Sequence, residues 1–221
     1  MRSNSLRLLV IVASLFFFTN NLSGSFLPIY FRDSGLSMIE IVEVLLFTFS
    51  ILGFLPIILL KVFRNFEGVI SVGIFTTMLF FIALICIKNP IILGIAQGIS
   101  LSTFWPSFNL LQFRLSESKT RARTISILSS IIPSFASIVG PAVGGFIIEN
   151  LDFTSLFAVS IVLYLIAFAF STRIHFKFED HGFSIPRCRM FAVFFTSFII
   201  AGLIEAYWLV YPFFVLNVSG T

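Results

Sequence analysis

A single carboxylate stands deep in apolar surroundings. In "AGLIEAYWLVYP", Glu205 lies near the centre of a long hydrophobic run, and an ionisable group at mid-bilayer depth is costly enough to suggest function. It fits a proton carrier or a partner for a transported cation. A neutral Glu hydrogen-bonded to a neighbouring helix fits equally well. Other runs hold neutral groups suited to ligand contact. "FTNNLSGS" sets Asn20, Asn21 and Ser23 in an otherwise apolar stretch, where side-chain amides need internal partners. Gln97 and Trp105 occupy another run, and Tyr207, Trp208 and Tyr211 follow Glu205. Such groups can hydrogen-bond to a ligand or stack on it. Interhelical bonding by the amides, and an interfacial belt for the aromatics beside Pro212, are the competing readings.

Another feature is mechanical. "SIVGPAVGGFI", Ser137 to Ile147, packs three glycines and a proline into a hydrophobic run, although Pro costs about 3 kcal/mol and Gly about 1 kcal/mol relative to Ala inside a helix. Ala136, Gly140 and Gly144 recur every four residues, so they form one stripe that lets another backbone come close. Pro133 and Pro141 lack an N–H, which leaves the carbonyls of Ser129 and Ser137 without their usual helical donors. With Gly145, these residues form a candidate gating and packing seam; a static close-packing motif is the alternative.

The elements that must carry these residues are membrane helices. The 221 residues are 58% hydrophobic and 11% charged, with a mean hydropathy of +1.07, against about 25% charged residues in soluble domains. Seven runs are long enough to cross a bilayer: Leu8–Tyr30, Ile39–Leu60, Gly68–Ile87, Ile91–Phe113, Thr124–Ile148, Leu156–Thr172 and Phe191–Leu216. Their length, without alternating ten-residue strands, excludes a membrane barrel. The first run lacks a small-residue cleavage site and reads as a retained helix. With the N-terminus cytoplasmic, 12 of the 14 basic residues fall on inside segments, leaving Arg32 and Lys88 outside. This obeys the positive-inside rule and puts the seventh run's end outside. The basic residues thus set topology, and nucleic acid is not needed to explain them. Glu40 and Glu43 lie at the outer end of the second run, where they read as interfacial.

The segment 173–189, "RIHFKFEDHGFSIPRCR", separates six runs from the seventh and suits a cytoplasmic loop with a short amphipathic stretch. Its two histidines lack zinc-like spacing, and Cys86 and Cys188 form neither a disulfide framework nor a metal motif. With no HExxH, GxSxG or Walker loop in the sequence, an enzyme, a metal site and a cofactor are not expected.

The end of the first run, "FLPIYFRDSGLS", parallels that of the seventh, "VYPFFVLNVSGT", in Pro28 and Pro212 and in a Ser-Gly pair. Six helices plus one suggest a two-repeat protein cut short as its second repeat begins. On "GPAVGG" the fifth run resembles the GxxxGPxxGG motif of the major facilitator superfamily, particularly its antiporter branches, with Ala136 in place of the leading Gly. The segment around Gln97-Gly98 is similar to the family's RxxQG, and "SESKTRARTISI" to its link before helix five. Two positions depart from the pattern. Gly94 stands where the family has the RxxQG arginine, and Leu60 and Phe63 replace an Asp and a Gly in the loop after helix two.

The resemblance implies an all-α integral membrane fold: a six-helix bundle over residues 1–172, a central cytoplasmic loop over 173–189, and the first helix of a second bundle over 190–221. It further implies a secondary transporter in the plasma membrane that moves a small solute by alternating access, with efflux-type antiport as one form and a proton or cation as the coupling partner. The missing arginine weighs against standard proton antiport. A fragment or accessory subunit without transport is the alternative. A seven-helix receptor is disfavoured by the inside N-terminus, and the absence of lysine after Lys177 removes a retinal Schiff base from helix seven.

Overall fold

A computed structural model of the chain describes residues 2–62 and 68–174. All of them belong to one compact unit, Met1–Glu179. They form α1 (Arg2–Gly24), α2 (Leu27–Asp33), α3 (Met38–Val62), α4 (Val69–Cys86), α5 (Pro90–Leu115), α6 (Arg121–Ser126), a π turn (Ile127–Ile131), α7 (Ile132–Asn150) and α8 (Phe153–Ser171). Six stretches are long and apolar enough to span a bilayer: Asn4–Asp33, Met38–Pro56, Val69–Cys86, Pro90–Leu115, Arg121–Asn150 and Phe153–Ser171. The protein is an integral membrane protein, and its described part is an all-helical bundle. The first six expected runs coincide with these spans to within a few residues at most ends. The expected seventh, Phe191–Leu216, lies outside the described residues.

Helix starts follow local chemistry. Ser37 and Glu40 form a reciprocal capping box at the second span: the Ser37 N–H and hydroxyl donate to Glu40 Oε2 at 2.7 and 2.8 Å, and the Glu40 N–H donates back to Ser37 Oγ at 3.4 Å. Glu40 is thus a cap at the start of the second span. Asn89 caps the fourth span by accepting from the Ile92 N–H at 3.1 Å, with Pro90 as the first helical residue. Asp152 caps the sixth, accepting from the Ser155 N–H at 2.6 Å. Hydrogen bonds from Ser155, through side chain and backbone, hold the Asp152 carboxyl below its usual range.

Two prolines change the backbone more than a smooth run suggests. Pro28 cannot donate to Gly24, and the first span breaks at Ser25–Phe26 into α1 and α2. Pro133 follows a π turn in which the Ile132 N–H bonds to the Ile127 carbonyl. In a regular helix the Pro133 ring would clash with the Ser129 carbonyl; the wider turn relieves that clash. Pro56, Pro106 and Pro141 sit inside continuous helices.

The spans pair in a regular way. The second packs on the fourth and the fifth on the first; the third packs on the fourth and the sixth on the first; the third also meets the sixth, and the first meets the fourth. Exchanging spans one to three with spans four to six maps these main pairings onto themselves. Because three is an odd number of crossings, the second triplet enters from the opposite side. This is the pairing expected of two inverted three-helix repeats, although the contact between spans five and six has no counterpart of similar extent between spans two and three.

The centre is aromatic. Phe16 of span one stacks on Phe104 of span four, with centroids 3.4 Å apart and planes 7° apart. Phe108 stacks on Phe104 at 5.4 Å, and Tyr164 of span six lies against Phe16 and Phe81 at 5.7 and 5.4 Å. Hydroxyl pairs supplement this packing. Thr76 bonds with Thr103 and Thr77 with Ser100, both at 2.7 Å, between spans three and four, and Ser171 donates to Ser71 at 2.9 Å between spans six and three. At the end of span one, the Tyr30 hydroxyl donates to the Leu84 carbonyl.

Tyr164 is the exception among these groups. It is fully buried, and its hydroxyl has no hydrogen-bond partner among the described residues. A buried unpaired hydroxyl costs about 1–3 kcal/mol, so Tyr164→Phe is expected to equal or exceed the parent in stability, by up to about 2 kcal/mol, in chemical unfolding in detergent. A loss above about 1 kcal/mol would instead reveal a partner such as a bound water.

Candidate functional site

The glycine stripe meets span one. Ala136, Gly140 and Gly144 are all buried. A methyl group added at Gly140 would stand 2.9 Å from the Leu22 nitrogen and from Asn21 Cβ; one added at Gly144 would run into the Leu22 carbonyl oxygen and the Phe26 ring. Gly145 differs, because its added methyl would meet only Phe26, at 3.7 Å. The seam is therefore made by Ala136, Gly140 and Gly144 inside the bundle, and Gly145 leaves room. Pro141 follows Gly140 within the same unbroken helix.

A second close contact mirrors the first. On span four, a methyl at Gly94 would lie 2.6 Å from the Val44 carbonyl oxygen, and one at Gly98 would lie 2.6 Å from Ile51 Cβ. The Thr48 hydroxyl of span two donates to Val44 O of its own helix at 2.8 Å and reaches across this contact to the Gly94 carbonyl and Gln97 Oε1, both at 3.2 Å. Gly94 is where the resembled family has its arginine. Here the Val44 backbone fills that space, so even a β-carbon does not fit.

Of the expected polar contacts, two bond within their own helix. Asn21 Nδ2 donates to the Phe17 carbonyl at 2.8 Å, and buried Ser23 donates to the Thr19 carbonyl at 3.0 Å. Gln97 bridges spans four and two through Thr48, as above. Asn20 is half-buried with no hydrogen-bond partner among the described residues. At about 100° per residue, Asn20 falls between the faces of Phe16 and Phe17, one turn closer to the end of span one. By the same geometry Leu101 falls between Phe104 and Trp105, one turn closer to the start of span four. Counted from the Phe16–Phe104 stack, Asn20 and Leu101 thus lie one turn toward the same end of the bundle.

Trp105 is 37% exposed and rests on Phe17 and Phe104, each at 5.7 Å. Gln97, Leu101, Trp105, Asn109 and Gln112 follow one another at helical spacings of four, four, four and three, so they line one stripe along span four. Three amides, an indole and a single aliphatic side chain make up this stripe, and none of the five is ionisable. Asn109, Gln112 and Ser129 are absent from the sequence-based candidates, although the spacing from Trp105 could have revealed the first two. Gln112 Nε2 donates to Asn109 Oδ1 at 2.8 Å, and the Ser129 hydroxyl donates to Gln112 Oε1 at 2.8 Å. Ser129 belongs to the π turn of span five, a link that only the fold discloses. The stripe offers amide hydrogen bonds beside an exposed aromatic face. Glu205, Tyr207, Trp208 and Tyr211 lie outside the described residues.

No protein-family model matches the chain. It is 26% identical over 180 residues to "Uncharacterized protein YqgE" of Bacillus subtilis (strain 168), a match covering 76% of this chain and 42% of that protein. It is 25% identical over 156 residues to "Uncharacterized protein in sodM 3'region" of Geobacillus stearothermophilus, covering 67% of this chain and 72% of the relative. The matched part of the chain therefore spans less than half the length of the Bacillus protein.

The seam yields a paired expectation. Gly144→Ala forces span five away from span one and is expected to cost about 1–3 kcal/mol of stability. Gly145→Ala has room and gains helix propensity, so it is expected to be neutral or slightly stabilising. Detergent unfolding of both variants checks this; equal losses would show that the two glycines face equivalent contacts.

Proposed function

We propose that this chain is half of a secondary active transporter of the major facilitator type, together with the start of its second half, and that it moves a small solute by alternating access. The observation that carries the reading is the helix pairing, which maps onto itself when spans one to three are exchanged with spans four to six. Transporters built on inverted repeats place their solute site where the repeats meet. Spans one and four are exchanged with each other by this operation. They meet at the Phe16–Phe104 stack, with Asn20 one turn along span one and Trp105 next to Phe104 on span four. The 42% coverage of the Bacillus relative agrees with a longer parent architecture. The GPxxGG resemblance at Gly140–Gly145 points to the antiporter branches, and thus to efflux as the direction.

In this reading the N-terminus is cytoplasmic in the plasma membrane, as the basic residues direct. Solute contact on this half comes from Asn20, Gln97 and Trp105, with Asn21 and Ser23 supporting span one at its seam. Coupling rests on Glu205, since Gly94 leaves no room for the fourth-span arginine. Energy comes from a proton or cation gradient.

The protein encoded by the complete gene, with Cys86→Ser, Cys188→Ser and Trp105→Cys, is expected to react with a membrane-impermeant maleimide added from either face of sealed vesicles. In proteoliposomes, the otherwise native protein is expected to move at least one member of a panel of labelled amino acids, sugars and cationic dyes under an imposed pH or sodium gradient. One-sided labelling together with no flux would overturn the proposal. Where flux is found, Glu205→Gln is expected to abolish its pH dependence, and an unchanged pH profile would remove Glu205 as the coupling group.

A further inference from the structure

We propose that Gln112 is the latch of a one-residue register switch in span five. The Pro133 ring can be accommodated in a helix in two ways. One is a π turn, which inserts an extra residue ahead of the proline; the other is a regular α-helix kinked at the proline. The structure holds the first, with the π turn at Ile127–Ile131. Within that turn, Ser129 is fixed by its hydroxyl bond to Gln112, and the Gln112 amide is fixed by Asn109, both at 2.8 Å. Gln112 itself is 6% exposed, so its amide is held by span four while Ser129 lies on an exposed face. The latch therefore joins a rigid element to the one turn in span five that has two registers.

The switch has a defined output. Passing from π to α takes one residue out of the wide turn, which rotates α6 by about 100° and shifts it by about 1.5 Å relative to α7. α6 is tied to the end of span four by Arg121. Its guanidinium lies 4.1 Å from the Phe113 ring centroid, and its Nε donates to Ser116 Oγ at 3.3 Å. A register change must break or remake both contacts, so the latch governs the basic turn between spans four and five. Asn109, the exposed end of the chain of bonds, gives a hydrogen-bonding solute on the span-four stripe a way to release it. That last step rests on the transport reading, but the register switch does not.

The test uses the full protein in native membranes with Cys86→Ser and Cys188→Ser, and compares maleimide labelling of Leu128→Cys with that of Ser126→Cys. Leu128 is fully buried and Ser126 is exposed, so the ratio is low while the π turn holds. Interhelical hydrogen bonds in membranes bias equilibria by roughly threefold to twentyfold. Gln112→Leu and Ser129→Ala should each raise the ratio by that factor, while Ser129→Thr, which keeps the hydroxyl, should leave it low. If Gln112→Leu fails to assemble, Ser129→Ala at its exposed position still decides the matter. An unchanged ratio in Ser129→Ala, or a rise in Ser129→Thr equal to that in Ser129→Ala, would overturn the latch.

Discussion

The bundle depends on how closely its backbones can approach. Lipid tails are as apolar as leucine, so burying apolar surface gives membrane helices little reason to associate, and packing contact must supply the difference. Two pairs of glycines, each four residues apart, meet that need: Gly94 and Gly98 against span two, and Gly140 and Gly144 against span one. At three of these positions an added methyl would run into a backbone carbonyl oxygen, and at Gly140 into a backbone nitrogen. Once these pairs are seated, spans one and four are held where their aromatic side chains can stack. The hydroxyl pairs between spans three and four, and between three and six, then close the remaining side of the bundle.

Proline acts differently at each place, and the reason is local. At Pro28 the helix simply ends and restarts, because Ser25 and Phe26 form a turn there. At Pro133 the helix continues, and the clash is absorbed by one wide turn whose exposed serine is bound to span four. Span five therefore has two distinct parts. The part after the proline is pinned to span one by the glycine stripe, and the part before it connects through Gln112 and Arg121 to span four. A single helix that is rigid at one end and register-sensitive at the other can pass a change in span four to the turn between spans four and five without loosening the seam.

Much of this fold is legible in the sequence. Six spans follow from hydropathy and length, and the stripe at Ala136, Gly140 and Gly144 follows from its spacing of four. What the sequence does not reveal is the partner of each surface. The stripe reads as a generic close-contact motif until span one is known to lie against it, and Gly145 looks equivalent to Gly144 until its surroundings are found to be open. Asn20, Asn21 and Ser23 look alike as polar intruders, yet Asn21 and Ser23 bond to carbonyls of their own helix while Asn20 does not. Ser23 thereby behaves as a satisfied structural hydroxyl. The π turn is hidden for a related reason: Pro133 predicts a disturbance, but whether it becomes a kink or a wide turn is decided by Gln112 on another helix.

Position 94 shows how packing limits chemistry. A helix surface can present a long cationic side chain or accept a neighbouring backbone at the same place, but not both. Here the second choice is made, with Val44 against Gly94 and Thr48 bonded to its carbonyl. The fourth span is thereby left with amides, a leucine and an indole along its stripe, and any charge needed at mid-depth must come from elsewhere. That restriction leaves the stripe on span four without an ionisable group of its own. It also makes the neutral chain from Asn109 to Ser129 the polar connection through which span four can act on span five.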